Sequence, residues 1–403
     1  MSTLRLTTAG ESHGPAEVCV IEGVPAGLAV STAQVDADLA RRQQGYGRGS
    51  RMAIELDRSR FLSGVRHGRT LGTPICLVVE NRDYANWQDL MSAERGPHEQ
   101  GGAAPRLTVP RPGHADLSGL AKYGHDDVRS VLERASARET VGRVAGGAIC
   151  KCLLAELGAT VRGCVISIGS ARASATSDFC HPEAMDWEAV DASPVSCPDT
   201  AAARAMCEAI DRAREKGESL GGVFEIWCWG LCPGLGGYAS LQDRLDGRLL
   251  GALASIPAIK GVEIGDGFAN AGRPGSEVHD PLFVRRDDHG ATITRKSNRA
   301  AGLEGGMTTG MPIVLRAAMK PIPTLTTPLP SVDVSTLEPT LAHVERSDVA
   351  AVPAAAVVGE AMAAYVLAAA YLEKFGGDSV EQLRASVLAY ENGLRERGLW
   401  RRF

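Results

Sequence analysis

Short apolar runs bounded by glycine, proline or asparagine recur along the chain, a pattern typical of buried β-strands. These runs predict strands at residues 18–22, 75–80, 160–168, 223–229, 261–264 and 313–317. After the first run, Ser31 and Gln34 form a candidate capping box for a helix that reaches Arg42 and ends before Gly45. The N-terminal part of the chain is therefore expected to mix strands and helix.

Apolar positions with helical spacing predict further helices at residues 136–157, 200–216 and 241–256. Three glycines within 142–147 lower the helix propensity of the first, and would let a neighbouring element approach closely. Pro353 in a first turn, and Asp378 with Glu381 at a second start, predict two C-terminal helices.

This succession of strands and helices predicts the α+β fold class. No internal repeat and no flexible linker divides the chain, so residues 1–403 are expected to form a single large domain. Two polar, aperiodic stretches near 83–110 and 169–199 are expected to be surface loops of that domain.

The charge balance excludes several classes of partner. A formal net charge of -5 and a pI near 6.0 argue against a general surface for nucleic acid or anionic membranes. The most apolar stretch, 349–372, is interrupted by Pro353 and Glu360, which favours a packed helix over a membrane span. We therefore expect neither a nucleic-acid nor a membrane partner.

The termini and cysteines predict a cytoplasmic protein. The first residues lack the apolar core of a signal peptide, and the ten cysteines include no C-x-x-C pair. Most of them lie inside apolar stretches, as reduced and buried thiols do. No histidine or cysteine spacing matches a metal site, so no metal is expected.

Two of the nine histidines, His13 and His114, lie among glycine and proline residues that form turns. Function concentrates on such loops, and an imidazole suits proton transfer near neutral pH. A structural role remains the alternative for each histidine. Asp348, in an Arg-Ser-Asp run before a helix, is a third candidate, although the run is equally a capping device.

Arginines at glycine-rich turns or helix ends accompany these candidates: Arg42, Arg48, Arg111, Arg134, Arg138 and Arg346. Each alone is explained by solvation, and Arg42 also by the dipole of the helix that it ends. As a set they suit a small anion, because the guanidinium fork binds phosphate and carboxylate through paired hydrogen bonds. Nucleotide motifs are weak, since Asn270 stands where the third glycine of a dinucleotide fingerprint belongs.

Eight stretches together resemble the chorismate synthase family. They are GESHG at 10–14, RRQQGYGRGSRM at 41–52, RPGHAD at 111–116, RASARET at 134–140, GVEIGDGF at 261–268, GLEGGMTTG at 302–310, KPIPTL at 320–325 and RSD at 346–348. The resemblance spans the chain, and the segments 86–105 and 169–199 carry no recognisable family motif.

The resemblance implies an anti-1,4-elimination of phosphate from 5-enolpyruvylshikimate 3-phosphate, which gives chorismate in the shikimate pathway of aromatic amino acid biosynthesis. It implies that reduced FMN is required although the reaction is redox-neutral. It also implies a β-α-β sandwich that assembles as a homotetramer. Some family members reduce FMN with NADPH, which is associated with the positions of Arg42 and Arg48. No reductase module is recognisable, so an external flavin reductase is the expected partner.

The resemblance also implies roles for single residues. His13 looks like the acid that protonates the leaving phosphate, His114 like the group that protonates or stabilises reduced flavin near N1, and Asp348 like the base acting through flavin N5. The implied substrate-binding residues are Arg42, Arg48, Arg111, Arg138 and Arg346. The implied flavin contacts are Arg134, Ala135, Ser136, Pro257, Ala258, Gly305, Lys320, Pro321, Ile322, Pro323, Thr324 and Arg346.

Two alternatives come from other functional classes. A flavin-binding protein of the same fold without catalysis would be expected to lack His13, His114 or Asp348, and all three are present. An NAD(P)H-dependent flavin reductase would oxidise NADPH in the absence of the shikimate substrate.

Overall fold

The computed structural model describes residues 3–49, 56–94, 106–174, 179–288, 290–345 and 347–402. The strands in these ranges, in chain order, are β1 (Arg5–Ala9), β2 (Ala16–Glu22), β3 (Ser59–Ser63), β4 (Val65–Arg66), β5 (Arg69–Thr70), β6 (Ile75–Glu80), β7 (Thr160–Ile168), β8 (Ala171–Arg172), β9 (Gly222–Trp229), β10 (Ile259–Ile264), β11 (Leu282–Asp287), β12 (Gly290–Arg295), β13 (Leu303–Glu304), β14 (Met307–Thr308), β15 (Ile313–Met319), β16 (Pro330–Val332) and β17 (Pro339–Leu341).

The α-helices in the same ranges are α1 (Thr32–Gln43), α2 (Asp116–Tyr123), α3 (Arg129–Leu132), α4 (Thr140–Glu156), α5 (Trp187–Ala192), α6 (Thr200–Glu215), α7 (Leu245–Ala254), α8 (Gly267–Asn270), α9 (Gly275–Val278), α10 (Val352–Phe375) and α11 (Val380–Glu396). Short 3₁₀ helices at Arg82–Asn86 and Ala137–Glu139 matter for the site described below.

Two antiparallel sheets enclose a layer of helices. One sheet has the strand order β1-β2-β6-β3, and the other has the order β10-β15-β9-β7-β8. Helix α4 packs against the first sheet, α10 packs against the second, and the two helices pack against each other. The α+β fold class and the β-α-β sandwich expected from the sequence are therefore confirmed.

Small residues let the three layers approach closely. A side chain added at Gly146 of α4 would lie 2.4 Å from Leu6 of β1, and one at Gly147 would lie 2.3 Å from Ala361 of α10. The glycines that weaken α4 as a helix thus permit its contact with both layers, as the sequence predicts.

The long C-terminal helix α10 is apolar enough and long enough to cross a membrane by composition alone, yet 94% of its most apolar window is buried inside the protein. It carries the core residues that join the two sheets, and Pro353 lies in its first turn as predicted. The start of α11 differs from the prediction by one residue, because Ser379 and Gln382 form its capping box in place of Asp378 and Glu381.

Of the two predicted surface loops, 169–199 needs correction, and residues 95–105 and 175–178 of these stretches lie outside the described residues. The region 169–199 contains α5 and buries Phe179, Val190 and Cys197 in the core, because its apolar residues are spaced too irregularly to reveal their burial in the sequence. The stretch 83–110 contributes the half-buried Trp87, which follows the 3₁₀ helix, to the wall of a large cavity.

Candidate active site

A cavity of about 1030 Å³ opens where the β1–β2 loop meets the end of α1 and the starts of α4 and α10. Most of the predicted site residues line it: His13, Arg42, Arg48, Arg111, His114, Ala135, Ser136, Arg138, Pro257, Ala258, Lys320, Ile322, Pro323, Thr324 and Asp348. Residues predicted from six separate motifs are thus brought to one cavity, whose size is that of a ligand site.

Three predicted site residues do not line this cavity. Arg134 donates to the backbone oxygens of Thr8 and Gly10, each at 3.0 Å, and so ties the segment before α4 to the first sheet. Gly305 lies in the turn between β13 and β14, and Pro321 is also absent from the lining. Arg346 lies outside the described residues.

His13 lies in the loop between β1 and β2, and Glu133 fixes its orientation. The backbone N–H of His13 donates to Glu133 Oε2 at 2.9 Å, and ring Nδ1 lies 3.0 Å from both carboxylate oxygens. Burial opposes the ionisation of Glu133, but hydrogen bonds from His13 and the charges of His13 and Arg129 hold the pKa of Glu133 below its usual range. The Nδ1–H group of the imidazole therefore donates a hydrogen bond to Glu133. This leaves Nε2 as the nitrogen suited to exchange a proton with a ligand.

His114 is held by a second carboxylate. Its Nδ1 hydrogen-bonds to Asp116 Oδ1 in the first turn of α2, and Asp116 Oδ2 accepts from the backbone N and the Nε of Arg111, each at 3.0 Å. Burial disfavours the charged carboxylate, yet these hydrogen bonds hold the pKa of Asp116 far below its usual range. Asp116 therefore stays ionised and orients both neighbours.

The guanidinium of Arg111 is already engaged by the protein. Besides its contacts with Asp116, Nη1 donates to Thr324 Oγ1 at 3.2 Å and to Glu345 Oε2 at 3.3 Å. Arg111 is only 8% exposed. It joins the His114 loop to the segment after β15, on the edge of the cavity.

Asp348 is paired with an arginine from the glycine-rich turn that follows α1. Arg48 Nη1 lies 2.6 Å from Asp348 Oδ2, and the backbone N of Gly49 donates to Oδ1 at 2.7 Å. The pair is partly open to solvent, so a bound anion could compete with Asp348 for the Arg48 guanidinium.

Arg42 and Arg138 form the buried floor of the cavity and share the carboxylate of Asp57. Arg138 Nη1 donates to Asp57 Oδ1 at 2.6 Å, while Arg42 Nη1 lies 3.5 Å from Oδ2. Burial lowers the pKa of Arg42 to about 10, which the charge of Asp57 partly offsets. Two guanidiniums share one carboxylate at the cavity floor, which leaves an excess of positive charge that suits an anionic ligand.

Comparisons with known proteins agree with this geometry. The family model for chorismate synthase matches residues 4–372. A chorismate synthase of Desulforudis audaxviator is 56% identical, with 97% of this chain and 98% of that protein covered. One of Trichlorobacter lovleyi is 53% identical, with 98% and 100% covered. The chain belongs to the chorismate synthase family. A crystal structure of a chorismate synthase, 41% identical, superposes with a TM-score of 0.79 and covers 98% of this chain and 99% of that one.

Membership in the chorismate synthase family confirms the resemblance stated from the motifs and makes the chain a lyase. Family membership alone does not identify the carboxylates that orient His13 and His114. Glu133, Asp57 and the aromatic Trp87 were missed in the sequence. Asp116 had a signal, because it ends the RPGHAD motif two residues after His114.

Beneath the arginines of this chorismate synthase site lies a buried carboxyl group, Glu17 of β2. It is 1% exposed, and neither oxygen accepts a hydrogen bond among the described residues. Burial raises the pKa of Glu17 to about 7, against the opposing charges of Arg138 and Arg134. The folded state therefore binds this proton more tightly than the unfolded chain, whose carboxyl has a pKa of 4.5.

We expect Glu17→Gln to stabilise the protein at pH 8. The contribution of a carboxyl with a raised pKa is full below pH 4.5 and is lost as pH rises towards 7, so wild type is penalised at pH 8. Relative to wild type, the variant should gain about 1–3 kcal/mol of unfolding free energy at pH 8 and almost none at pH 4.5. Urea denaturation at both pH values measures this, and a gain of equal size at both would contradict the ionisation of Glu17.

Proposed function

We propose that this cavity binds 5-enolpyruvylshikimate 3-phosphate and eliminates its phosphate to give chorismate. The observation that carries the proposal is the meeting of two carboxylate-held histidines, His13 and His114, with a floor of arginines in one cavity. The reaction breaks one C–O and one C–H bond and forms one double bond, so it needs an acid, a base and bound anions.

His13 acts as the general acid. Its Nε2 proton passes to the leaving phosphate as the C–O bond breaks, and the bonding electrons leave with the phosphate. Glu133 stays ionised at Nδ1 and stabilises the charged imidazole before the transfer. This assignment rests on orientation, because both the backbone N–H and the ring of His13 are fixed to one carboxylate.

The arginines bind the substrate's phosphate and carboxylates. Arg42 and Arg138 are almost fully buried, so a bound phosphate or carboxylate there would be shielded from water and held strongly. Arg48 lies closer to solvent and pairs with Asp348, so it can exchange that partner for a substrate anion. Arg111 is enclosed by protein acceptors, and its contribution is to hold His114 and Thr324 in place.

The cavity fits a flavin nucleotide. Its lining includes small or apolar residues that suit a planar ring and are called the flavin wall below: Ala135, Ile256, Pro257, Ala258, Ile322 and Pro323. Ala258 has a φ of +68°, a strained conformation for a residue other than glycine, and its C=O accepts from the backbone N of Lys320 at 2.9 Å. Lys320 and Thr324 supply polar groups nearby for the flavin's phosphate and carbonyl groups. When bound, reduced FMN supplies an electron-rich ring that stabilises an electron-deficient transition state.

His114 and Asp348 complete the set of proton-transfer groups. Asp116 keeps the His114 imidazole oriented, and the nitrogen other than Nδ1 is suited to donate to a cofactor or substrate atom in the cavity. Asp348 is the proton acceptor of the elimination. The Arg48 guanidinium and the Gly49 N–H each hold one oxygen of its carboxylate, which fixes the orientation of the group in the cavity.

An external flavin reductase is the proposed source of reduced FMN. Arg42 and Arg48, the residues associated with NADP by resemblance, line the same cavity as His13 and Asp348. A nicotinamide nucleotide held by these arginines would therefore compete with the shikimate substrate for the same charges. We assign NADPH to the reductase partner for this reason.

A homotetramer in the cytoplasm is the proposed state of the enzyme. The β11–β12 hairpin exposes apolar side chains, among them Leu282 and Val284 at 60% each, which an assembly would cover. The thiols of Cys19 and Cys150 are buried and form no disulfide, and burial raises the pKa of Cys19 to about 12. Unlinked thiols of this kind support a reducing compartment.

Arg48→Ala tests the substrate assignment. Because the guanidinium that faces Asp348 is removed while the flavin wall stays intact, we expect KM for the shikimate substrate to rise about 10²-fold. The Kd for FMN should change less than threefold. Steady-state chorismate absorbance under anaerobic conditions gives KM, and flavin fluorescence gives Kd. A larger effect on FMN than on substrate would move Arg48 to the cofactor side.

A further inference from the structure

His13 belongs to a closed cluster of four side chains that the family motifs do not predict. Trp87 stacks on the His13 imidazole, with ring centroids 3.8 Å apart and planes 24° apart. The Arg129 guanidinium lies 5.3 Å from the Trp87 ring centroid, and Arg129 Nη1 donates to Glu133 Oε1 at 3.3 Å. Glu133 closes the cluster by binding His13 through ring and backbone.

Trp87 is itself fixed in place. Its indole Nε1 donates to Asp83 Oδ2 at 3.1 Å, and Asp83 Oδ1 accepts from Asn86 at 2.8 Å. All three residues line the cavity. Trp87, which belongs to the segment 86–105 without a family motif, thus presents an oriented aromatic face to His13, the proposed acid.

We propose that Glu133 and Trp87 are positioning residues that hold the His13 imidazolium in the orientation from which it donates to the leaving phosphate. The proposal rests on the acid role of His13 given above. Neither residue exchanges a proton with the substrate. They act through the imidazole, one by its charge and hydrogen bond and the other by its ring face.

Two physical effects add in this arrangement. An ionised carboxylate on Nδ1 stabilises the imidazolium and fixes which nitrogen faces the ligand. The face of an indole attracts a cation within about 6 Å of its centroid, and a planar imidazolium stacked on it benefits in the same way. Proton transfer from Nε2 to the departing oxygen then leaves a neutral imidazole still held at Nδ1.

Charged groups from three directions set the pH response of the cluster. Glu133 and Arg129 face His13 and Trp87 from α3 and the residue after it, and Asp83 faces the indole from the 3₁₀ segment. The cavity side carries Arg42 and Arg138 with their partner Asp57, Arg48 with its partner Asp348, and also Arg111, His114, Lys260, Lys320 and Glu345. Removing the Glu133 charge takes away the anion in direct contact with the imidazole, so the alkaline limb of the kcat profile should move to lower pH.

A double-mutant cycle with Glu133→Gln and His13→Ala tests the carboxylate. In wild type, Glu133→Gln should lower kcat about 10²-fold with KM changed less than threefold, and should move the alkaline limb of the kcat profile to lower pH. In the His13→Ala background the same change should have no further effect, because Glu133 acts through His13. Glu133→Asp should recover at least tenfold of the lost kcat.

Trp87 is tested by a pair of substitutions with a matched control. Trp87→Leu should lower kcat about tenfold and shift the same limb of the pH profile, whereas Trp87→Phe should stay within twofold of wild type. The control is Trp187→Leu, because Trp187 is also half-buried, stacks on Trp229 at 5.7 Å and lies under the Arg162 guanidinium, but is outside the cavity. Trp187→Leu should leave kcat and the pH profile unchanged.

The outcomes separate this inference from the proposed function. If His13→Ala keeps near-normal kcat, the acid role fails, and the inference fails with it. If His13→Ala loses most but not all of its kcat, and Glu133→Gln lowers kcat by the same factor in wild type and in His13→Ala, Glu133 does not act through His13 and only the inference is overturned. An unshifted pH profile in both Glu133→Gln and Trp87→Leu, with thermal stability equal to wild type, would also overturn it.

Discussion

His13→Ala should lower kcat by about 10²- to 10⁴-fold, the range for loss of a positioned general acid. FMN binding and thermal stability should stay close to wild type, because the imidazole lies at the cavity wall and is not part of the hydrophobic core. His114→Ala should lose most turnover as well, with Asp116 and Arg111 still paired behind it. Single-turnover measurement of chorismate with reduced FMN present in excess reports the chemical step directly.

The control for these variants is His125→Ala. His125 is exposed, stacks on Tyr123 at a centroid distance of 5.9 Å, and does not line the cavity. Its replacement should leave kcat within twofold of wild type. Near-normal rates in both His13→Ala and His114→Ala would remove the acid and the flavin-partner roles.

Glu360→Gln should destabilise the fold by about 1.5–3 kcal/mol, because the partly buried Arg41 and Lys151 lose one of the two carboxylates that they share and keep only Asp38. Glu360 lies in α10, is 1% exposed, and accepts from Arg41 at 2.7 and 2.6 Å, from Lys151 at 2.9 Å and from the backbone N of Gly163 at 2.7 Å. It therefore joins α1, α4 and β7 to the central helix. The midpoint of urea denaturation should fall accordingly.

The pH dependence of this network has a definite sign. Burial opposes ionisation of Glu360, but the charges and hydrogen bonds of Lys151 and Arg41 outweigh it and lower its pKa to about 2. Its contribution to stability is thus present above pH 4.5 and is lost as pH falls towards 2. The stability difference between wild type and Glu360→Gln should shrink over that interval.

Glu373→Gln is the control on the same helix. Glu373 pairs with Arg248 at 2.6 Å, but its side chain is 46% exposed, so solvent screens the pair. Its replacement should change the unfolding free energy by less than about 1 kcal/mol. Equal losses of unfolding free energy in Glu360→Gln and Glu373→Gln would show that burial does not determine how much the Glu360 network stabilises the fold.

The local pattern of apolar residues was sufficient to predict strands that are apolar on both faces. The strands at Ile75–Glu80 and Thr160–Ile168 begin and end where the sequence predicts, because both are central strands enclosed by the helical layer. The edge strand β10 was predicted in part, at residues 261–264, but the edge strands β1 and β3 and the β11–β12 hairpin were missed. The β11–β12 hairpin is mostly exposed, so its charged residues hide the strand pattern.

The site was predicted as far as its residues lie in turns with distinctive composition. The glycine and proline around His13 and His114 mark tight loops, and both loops do reach the cavity. Glu133 and Trp87 could not be found in this way, because their contacts with His13 span 120 and 74 positions of sequence and depend on the packing of α3 and the 3₁₀ segment. The carboxylate partner of His13 is therefore a tertiary feature that local sequence does not encode, whereas Asp116 follows His114 by only two residues.

The most direct measurement is the anaerobic conversion of 5-enolpyruvylshikimate 3-phosphate with chemically reduced FMN, followed by chorismate absorbance and phosphate release. The account predicts equal amounts of the two products, no net oxidation of FMN, and no product when FMN is left oxidised. Binding of reduced FMN and substrate without formation of chorismate would contradict it and make the non-catalytic flavin-binding alternative the better description of the protein.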